Sequence, residues 1–389
     1  MLQNKIYQNF IIEILKTFLV ILFGLSLVAL TVRSVSFLDL IVENGYPVST
    51  YFKYSILNLF GIAPKFIPLS FLISLTLFIL KHLQDSEFVI LWTSGVKKMQ
   101  VVNLLFFISI IVVLFYLLLS IILTPYALNQ SRQLLSKEQL NSFLPTVRTQ
   151  QFSDSFRGFT FLVEKKFNNQ LKNIFLHDKS NNLKNLSSNI ADNLSTTIIA
   201  NNGIIDKKKL ILFKGQIITS KKDKLKNEII KFDQLNINLS KLNTSTIKSA
   251  KIQETSTFEL LGCFTNRNSI NQFCIQTEKE IIPNLSRRIV LPFYIPVIAL
   301  VSSLLLIKTK RKTLSKICIF TGGFVLLLFT ELIVRYTGIN NFAKVIFFVT
   351  PIILFSVFYF YLLMKFSRES KVYEKNFLKL YFKKIFKGI

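Results

Sequence analysis

The stretch KHLQDSEFVILWTSGVKKM, residues 81–99, is a polar interruption between two apolar runs that are each long enough to cross a bilayer. Asp85 or Ser86 suits the N-cap of a helix, and Glu87 would follow in the first turn, where a carboxylate is favourable to the helix dipole. Gly95 suits the C′ position that ends a helix. The stretch therefore predicts a helix of about two turns that lies along the membrane face with one apolar side. An ordinary loop helix between two spans is the alternative interpretation.

The composition of the whole chain indicates a membrane protein. Of its 389 residues, 51% are hydrophobic and 39 are Phe, and the mean hydropathy is +0.45. Soluble domains rarely reach these values. The formal net charge of +27 suits a protein that lies beside anionic lipid. Nucleic-acid binding is disfavoured for so apolar a chain.

Six apolar runs between charged residues predict six transmembrane helices. Each run is long enough to cross roughly 30 Å of hydrocarbon, where a helix satisfies its own backbone groups. The first is too long for a cleavable signal peptide and lacks a small-residue cleavage site. Pro64 and Pro68 are expected to kink or break the second span and to open space near Lys65. The runs cover about 14–37, 54–80, 101–124, 288–308, 316–335 and 344–365.

The basic residues of the short loops predict the orientation of the chain. Lysines and arginines are concentrated at 81–100, at 308–316 and after Met364, whereas 38–53 and 336–344 are nearly balanced in charge. By the positive-inside rule, both termini and the two basic loops face the cytoplasm. The long segment between the third and fourth spans then lies on the outer side.

That long segment, about 125–287, is rich in Asn, Ser and Lys. Its short alternating runs at regular turn spacing predict an all-β sandwich or partial barrel. Lysine clusters at 207–209 and 221–226 flank hairpins and are interpreted as solvated turns rather than a binding patch. Residues 126–143 would form a short helix leading out of the third span. The predicted strands are 159–163, 173–177, 197–200, 209–213, 216–219, 228–232 and 235–239.

Nothing in the sequence indicates a catalytic site. His82 and His177 are the only histidines, which are too few for a metal cluster or a relay. The chain contains no G-x-x-x-x-G-K-S/T stretch and therefore no P-loop for ATP. Cys263 and Cys274 are not spaced as metal ligands. For an extracytoplasmic segment a disulfide across a hairpin is one interpretation, and two free buried thiols are the favoured one.

Charged residues inside the apolar runs are further candidates, because a charge at depth is costly and tends to face a cavity or a partner. They are Arg33, Lys65, Glu331 and Arg335. Arg33 and Lys65 are interpreted as functional cations. For Arg335, a pair with Glu331 one turn away competes with function. Side chains that only snorkel to the interface are the alternative for the cations.

The pattern D-S-E, followed by apolar residues and then S-G-V, resembles the cytoplasmic coupling helix of the lipopolysaccharide-export permeases of the LptF/LptG family. The stretches EILKTFLVILFGLSLVALTVRSVSFL and PKFIPLSFLISL are similar to the first two helices of that family, and SRR followed by LP resembles the start of the fourth. The stretch VSFLDLIVENGYP favours the LptF type over the LptG type. The resemblance covers essentially the whole chain, although the β segment matches by placement and class rather than by motif.

The spans and the resemblance together predict an α-helical membrane protein with six transmembrane helices and an extracytoplasmic, jellyroll-like β domain between the third and fourth. The family implies the bacterial inner membrane, with the β domain in the periplasm. The expected divisions are 1–124 for the first three helices, with the coupling helix at 84–95, then 125–287 for the β domain, 288–365 for the last three helices and 366–389 for a basic cytoplasmic tail.

The resemblance implies a transport subunit and not an enzyme. The family extracts lipopolysaccharide from the outer leaflet of the inner membrane. The implied partners are a second permease of the family, a dimeric cytoplasmic ATPase that binds ATP and Mg, and a periplasmic bridge protein with a similar β fold. This chain would hold no cofactor and no metal of its own.

The coupling helix would transmit the movement of the ATPase. Glu87 would pair with an arginine or lysine of the ATPase, and Phe88 and Trp92 would add the apolar side of the contact. Anchoring at the membrane surface is an equal alternative for Trp92. The predicted coupling residues are Asp85, Ser86, Glu87, Phe88, Leu91, Trp92 and Gly95.

Two further groups of residues would contact the lipid. Arg33 and Lys65, with Arg335 as a third cation, would hold the anionic head of the lipid. Inside the β domain an apolar path is needed for acyl chains. The residues predicted to point inward along it are Phe161, Ile211 and Phe213.

Two other classes of protein are kept as alternatives. One is a permease for another lipid or a lipoprotein, but such proteins commonly place four spans around one large insert. The other is a non-transporting membrane-anchored scaffold, which has no reason to carry a polar cytoplasmic helix or charges within its spans. Co-purification of an ATPase and a second permease would separate an exporter from a scaffold.

Overall fold

A computed structural model describes residues 2–38, 41, 47–141, 149–156, 159–167, 169–179, 194–206, 209–221, 224–238, 251–265, 278–307 and 312–385. The chain divides into two compact units. The helical unit comprises Met1–Ala29, Leu59–Tyr126 and Ile252–Ile389. The other unit, which contains the β-sheet, comprises Leu30–Asn58 and Ala127–Lys251.

The described helices include long membrane-type helices and short connecting ones. A π-helical turn, Leu119–Leu123, joins α4 to α5, and a second one, Ser286–Val290, continues through the 3-10 turn Leu291–Phe293 to join α7 to α8. The helices are α1 (Leu2–Phe37), α2 (Val48–Gln84), α3 (Glu87–Thr93), α4 (Lys98–Leu118), α5 (Thr124–Asn141), α6 (Thr257–Thr265), α7 (Glu278–Leu285), α8 (Tyr294–Ser303), α9 (Lys312–Tyr336) and α10 (Asn341–Ile385).

Six of the described helical segments are long and apolar enough to cross a membrane, which confirms the predicted number of spans. The fourth span is the most enclosed, with 78% of its apolar window buried, whereas the fifth and sixth are 17% buried. Open apolar faces on those outer spans would contact acyl chains or another protein in a membrane. The segments are Lys5–Phe37, Val48–Gln84, Lys98–Leu135, Lys279–Leu306, Lys316–Tyr336 and Asn341–Arg368.

Helix α8 of the fourth span forms the centre of the helical core and packs against α4, α9 and α10. All of its residues except Pro296 are buried. Tyr294 donates a hydrogen bond to the carbonyl oxygen of Phe347 on α10, at 2.9 Å. The buried phenol therefore keeps a partner where water is excluded.

Helix α2 continues without interruption through Pro64 and Pro68, so the break that the sequence suggests does not occur. Pro64 removes the amide donor that would bind the carbonyl oxygen of Phe60, four residues earlier. The hydroxyl of Thr124, the first residue of α5, donates to that oxygen at 2.7 Å. A neighbouring threonine thus replaces the missing backbone bond, which is how membrane helices tolerate proline.

The described strands form a single antiparallel sheet of six strands in sequential order. This is the order of a meander, in which each strand pairs with the next along the chain. The predicted β-sheet between the third and fourth spans is confirmed, but the described part of 125–287 is not all-β, because it also contains α5, α6 and α7. The strand order is information that the alternating pattern does not contain. The strands are β1 (Ser153–Phe156), β2 (Phe159–Phe167), β3 (Gln170–Asp178), β4 (Leu194–Asp206), β5 (Lys209–Lys221) and β6 (Lys224–Asn238).

A row of exposed polar residues, one on each strand from β2 to β6, crosses the sheet. These positions are left out of the regular pairing of neighbouring strands. Asn173 and Lys214 have positive φ values of 52° and 49°, which interrupt the two-residue alternation of the pleat. On β3 the buried residues have odd numbers before the row and even numbers after it. On β4 they have even numbers before the row and odd numbers after it. The row consists of Glu164, Asn173, Asn201, Lys214 and Asp233.

Candidate functional sites

Helix α3 lies within the predicted range 84–95 but is only seven residues long. Phe88 and Leu91 are buried and anchor it in the helical core. Glu87, Val89 and Ile90 are exposed on the opposite side. The surface that α3 offers to a partner therefore combines one carboxylate with two aliphatic side chains.

The two ends of α3 differ in how they are formed. Ser86 is the N-cap residue, as the sequence predicted, but it has a left-handed φ of 58° and its side chain makes no capping hydrogen bond. A capping serine has extended backbone, and the sharp reversal after α2 takes Ser86 away from it. At the other end Gly95 has a φ of 95°. The amides of Gly95 and Val96 donate to the carbonyls of Trp92 and Leu91, at 3.2 and 3.1 Å, which is a Schellman motif.

Phe88 makes its aromatic contacts inside this chain. The ring of Trp92 stacks on it, with centroids 5.9 Å apart, and the ammonium of Lys98 lies 4.7 Å from the Trp92 centroid. Phe88 is fully buried, so the apolar contact that the sequence assigned to a partner is made with the chain's own core. Its burial fixes the axis of α3.

Charged and titratable side chains from three helices meet beside α3; we name Glu13, Lys81, His82 and Glu87 the carboxylate–histidine cluster. The Lys81 Nζ lies 2.7 Å from Glu13 Oε1, and the His82 Nε2 lies 3.1 Å from Glu87 Oε2 and 3.4 Å from Glu13 Oε2. The side chain of His82 is 3% exposed and that of Glu87 is 51% exposed. The cluster thus ties α3 to α1 and α2 while half of the Glu87 side chain stays open.

Sequence reasoning missed Glu13 and set His82 aside as one of two histidines. A signal was present, because the predicted orientation places Glu13 and Lys81 at the same membrane face. His82 also precedes Glu87 across a reversal of two residues. Within the described ranges, no three His, Cys, Asp or Glu side chains are arranged to hold a metal ion.

The three predicted headgroup ligands are exposed side chains on separate helices, α1, α2 and α9. Arg33 belongs to the unit that contains the sheet, whereas Lys65 and Arg335 belong to the helical unit. Glu331 does not pair with Arg335 as the sequence suggested. Its Oε2 lies 2.9 Å from Nη2 of Arg287, because the first residues of the fourth span lie beside this part of α9.

A second polar cluster, which sequence reasoning also missed, surrounds Arg288 at the start of the fourth span. Arg288 is 5% exposed and donates four hydrogen bonds, and its fork of donors suits several oxygens at once. It therefore fastens the segment that returns from the β region. The acceptors are the carbonyls of Ile252 (3.1 Å), Gln253 (3.1 Å) and Thr255 (3.0 Å) and the hydroxyl of Thr257 (2.9 Å).

The residues predicted to line a lipid path do not share one side of the sheet. Phe161 belongs to the buried cluster of the β domain. Ile211 and Phe213 are half-buried on either side of buried Leu212, so they point away from that cluster and the prediction that they point inward is wrong. The reason is the positive φ of Lys214, which shifts the alternation of β5 by one residue.

The cysteines fall in different environments. Cys263 on α6 is disulfide-bonded, and Cys318 on α9 is free and exposed. Cys274, the predicted partner of Cys263, lies outside the described residues. The pairing of Cys263 with Cys274 stays a prediction.

Comparison with protein families finds a match over most of the chain. The family model of the lipopolysaccharide export system permease LptF/LptG matches residues 10–365. That range contains α3, the carboxylate–histidine cluster, the Arg288 cluster and the β-sheet. No curated protein matches the chain.

Proposed function

Because the chain belongs to the LptF/LptG family of lipopolysaccharide export system permeases, we propose that it is one permease subunit of an ATP-driven exporter. The exporter takes lipopolysaccharide from the outer leaflet of the bacterial inner membrane and passes it to a periplasmic bridge protein. A second permease of the family completes the membrane part. The chain itself is a transport subunit and not an enzyme.

The exposed face of α3 is the observation that carries the proposal. Phe88 and Leu91 fix the helix, and Glu87 presents a half-exposed carboxylate whose Oε2 binds His82. The other carboxylate oxygen is directed to an arginine or lysine of a dimeric cytoplasmic ATPase. Val89 and Ile90 add the apolar contact that Phe88 does not supply. ATP and Mg bind to that ATPase, and this chain needs no cofactor.

The charge asymmetry of the loops supports the orientation of the exporter. Basic residues concentrate at 81–100, at 308–316 and after Met364, which favours a cytoplasmic location for these parts. The β domain then lies in the periplasm, where lipid leaves the membrane.

In the proposed lipid pathway, exposed cations act first and the β domain second. Arg33, Lys65 and Arg335 attract the anionic head of the lipid, and arginine adds fork geometry for phosphate oxygens. The acyl chains then follow the buried side of the sheet, to which Phe161 belongs.

Substitution of Glu87 tests the proposal. In the reconstituted complex, Glu87→Ala should lower lipid-stimulated ATPase activity about ten-fold, because a charge-assisted hydrogen bond contributes about 1.5–3 kcal/mol. Membrane insertion should be unchanged, since Phe88 and Leu91 still anchor α3. Gln84→Ala, an exposed neutral change three residues earlier, is the control. Equal stimulation in Glu87→Ala and the wild type would return α3 to an ordinary loop helix.

A further inference from the structure

Helix α6 has a buried side and an exposed apolar side. Leu260 is fully buried and belongs to a cluster with Ile281 and Leu285 of α7, in the first part of the fourth span. Phe258 is 77% exposed and Leu261, three residues later, is 39% exposed. Residues three apart lie on the same face of a helix. One side of α6 is therefore fixed to the span, and another presents two large apolar side chains.

The start of α6 is held by hydrogen bonds. The amide of Glu259 donates to Ser256 Oγ at 3.2 Å, and the amide of Ser256 donates to Glu259 Oε2 at 3.4 Å. This reciprocal pair is a capping box, which secures the first turn of a helix. Arg288 Nη1 donates to Thr257 Oγ1 at 2.9 Å. The first turn, which contains Phe258, is therefore fastened to the fourth span.

Two contacts of Thr257 set the level of α6 along the membrane spans. Its hydroxyl donates to the carbonyl oxygen of Ile121 at 3.2 Å, and Ile121 lies near the end of the charge-free run 101–124. The same hydroxyl accepts from Arg288, at the start of the fourth apolar run. Where such runs end, hydrocarbon gives way to the headgroup region of a bilayer. Helix α6 therefore begins at the boundary between hydrocarbon and headgroups.

The third span carries an exposed apolar surface up to this level. Ile122, the neighbour of Ile121, is 60% exposed, and Leu118, one turn earlier, is 50% exposed. In a membrane such side chains contact acyl chains. Transfer of Phe258 and Leu261 from water into the same apolar phase is favourable. The lipid that covers the third span therefore suits the exposed face of α6 as well.

We propose that α6 is an interfacial helix whose Phe258 and Leu261 side chains insert into the lipid leaflet beside the ends of the third and fourth spans. The apolar face of such a helix is buried about 5–10 Å into the boundary between headgroups and acyl chains. In the orientation of the proposed function, this leaflet is the outer one. The inference adds a membrane contact to that function and does not depend on the cargo.

Depth-dependent fluorescence quenching tests the proposal. Trp92 is the only tryptophan of the chain, so Phe258→Trp in a Trp92→Phe background gives a single reporter. The full-length protein is reconstituted in phosphatidylcholine vesicles whose acyl chains carry bromine either near the headgroup or near the chain end. Bromine near the headgroup should quench the introduced indole about two-fold or more, and bromine near the chain end should quench it less, because an interfacial helix lies at shallow depth.

Two further variants in the same background complete the test. Phe324 is 41% exposed and lies near the middle of the fifth span. Phe324→Trp is therefore the matched control, and bromine near the chain end should quench it more than bromine near the headgroup. Leu261→Trp places a reporter on the same face of α6 and takes the place of Phe258→Trp if that variant does not fold.

Acrylamide, a water-soluble quencher, separates the other outcomes. An indole introduced on α6 that acrylamide quenches and brominated lipid does not would lie in water, which would overturn the inference. An indole that neither quencher reaches would be covered by protein, which would overturn it as well. The vesicles contain no ATPase, so these results do not depend on whether the chain exports lipopolysaccharide. A failure of the inference therefore leaves the proposed function intact, and the reverse also holds.

Discussion

The helical unit contains two polar clusters of opposite character. Arg288 places a permanent charge in a buried site where all four acceptors belong to one returning segment. The carboxylate–histidine cluster joins Glu13 to both Lys81 and His82 and leaves Glu87 half exposed. One cluster is enclosed, and the other is open to solvent on one side.

The difference between the clusters follows from their donor groups and their burial. A guanidinium stays charged in proteins, so its hydrogen bonds do not depend on pH. The contact between His82 and Glu87 instead ends at a half-exposed carboxylate, so it is open to solvent on one side. The clusters should therefore respond differently to substitution: loss of stability at Arg288, and loss of coupling beside α3.

The largest loss of stability is expected for Arg288→Met. Three buried acceptors and one part-buried acceptor would lose their donor, and each unsatisfied buried group costs about 1–3 kcal/mol. The total should exceed about 3 kcal/mol even after relaxation of the segment. Thermal unfolding in detergent measures the change. Arg287→Met is the matched control, because that side chain is 32% exposed; equal destabilisation by the two changes would remove the distinction between the clusters.

Two glycines sharpen the comparison at the level of the backbone. A Cβ on Gly338 would lie only 1.9 Å from the carbonyl oxygen of Lys279, so Gly338→Ala must displace α7 and should cost about 3 kcal/mol. At Gly95 nothing lies within 4 Å, and only its φ of 95° opposes alanine. Gly95→Ala should cost about 1 kcal/mol.

The glycine comparison is measured by the same unfolding experiment. Gly322→Ala, on α9 and with nothing within 4 Å, is the control and should be neutral or stabilising by up to about 1 kcal/mol. If Gly95→Ala destabilised the protein more than Gly338→Ala, the backbone beside α7 would not be more tightly packed than the backbone at the end of α3.

The smallest effect is expected for the pair between Arg287 and Glu331. Its side chains are 32% and 46% exposed, and such pairs contribute about 0–1 kcal/mol. Glu331→Gln should therefore change the unfolding temperature by little. The difference in unfolding temperature between this variant and the wild type should be smaller still at high salt, because salt screens the pair. A loss of stability as large as that of Arg288→Met would mean that the exposed pair stabilises the protein as much as the buried hydrogen bonds of Arg288 do.

Sequence patterns predicted the features that local composition determines. Run length gives the spans, alternation gives an all-β insert, and Gly95 ends α3 because its position needs positive φ. Sequence patterns did not predict contacts between residues that are far apart in the chain. Thr124 binds the Phe60 carbonyl across 64 residues and Glu331 binds Arg287 across 44. Propensity does not indicate the positive φ at Lys214 that turns Ile211 and Phe213 away from the buried cluster.

The hydrogen bond from Thr124 to the Phe60 carbonyl also makes the residue that is acceptable at position 124 depend on the residue at position 64. With proline at 64, the Thr124 hydroxyl is the donor for that oxygen, and its loss leaves a carbonyl unsatisfied in the membrane. With alanine at 64, the backbone amide returns and valine at 124 becomes acceptable. If proline stood at 64 while position 124 lacked a hydroxyl, the Phe60 carbonyl would be without the donor that it has here.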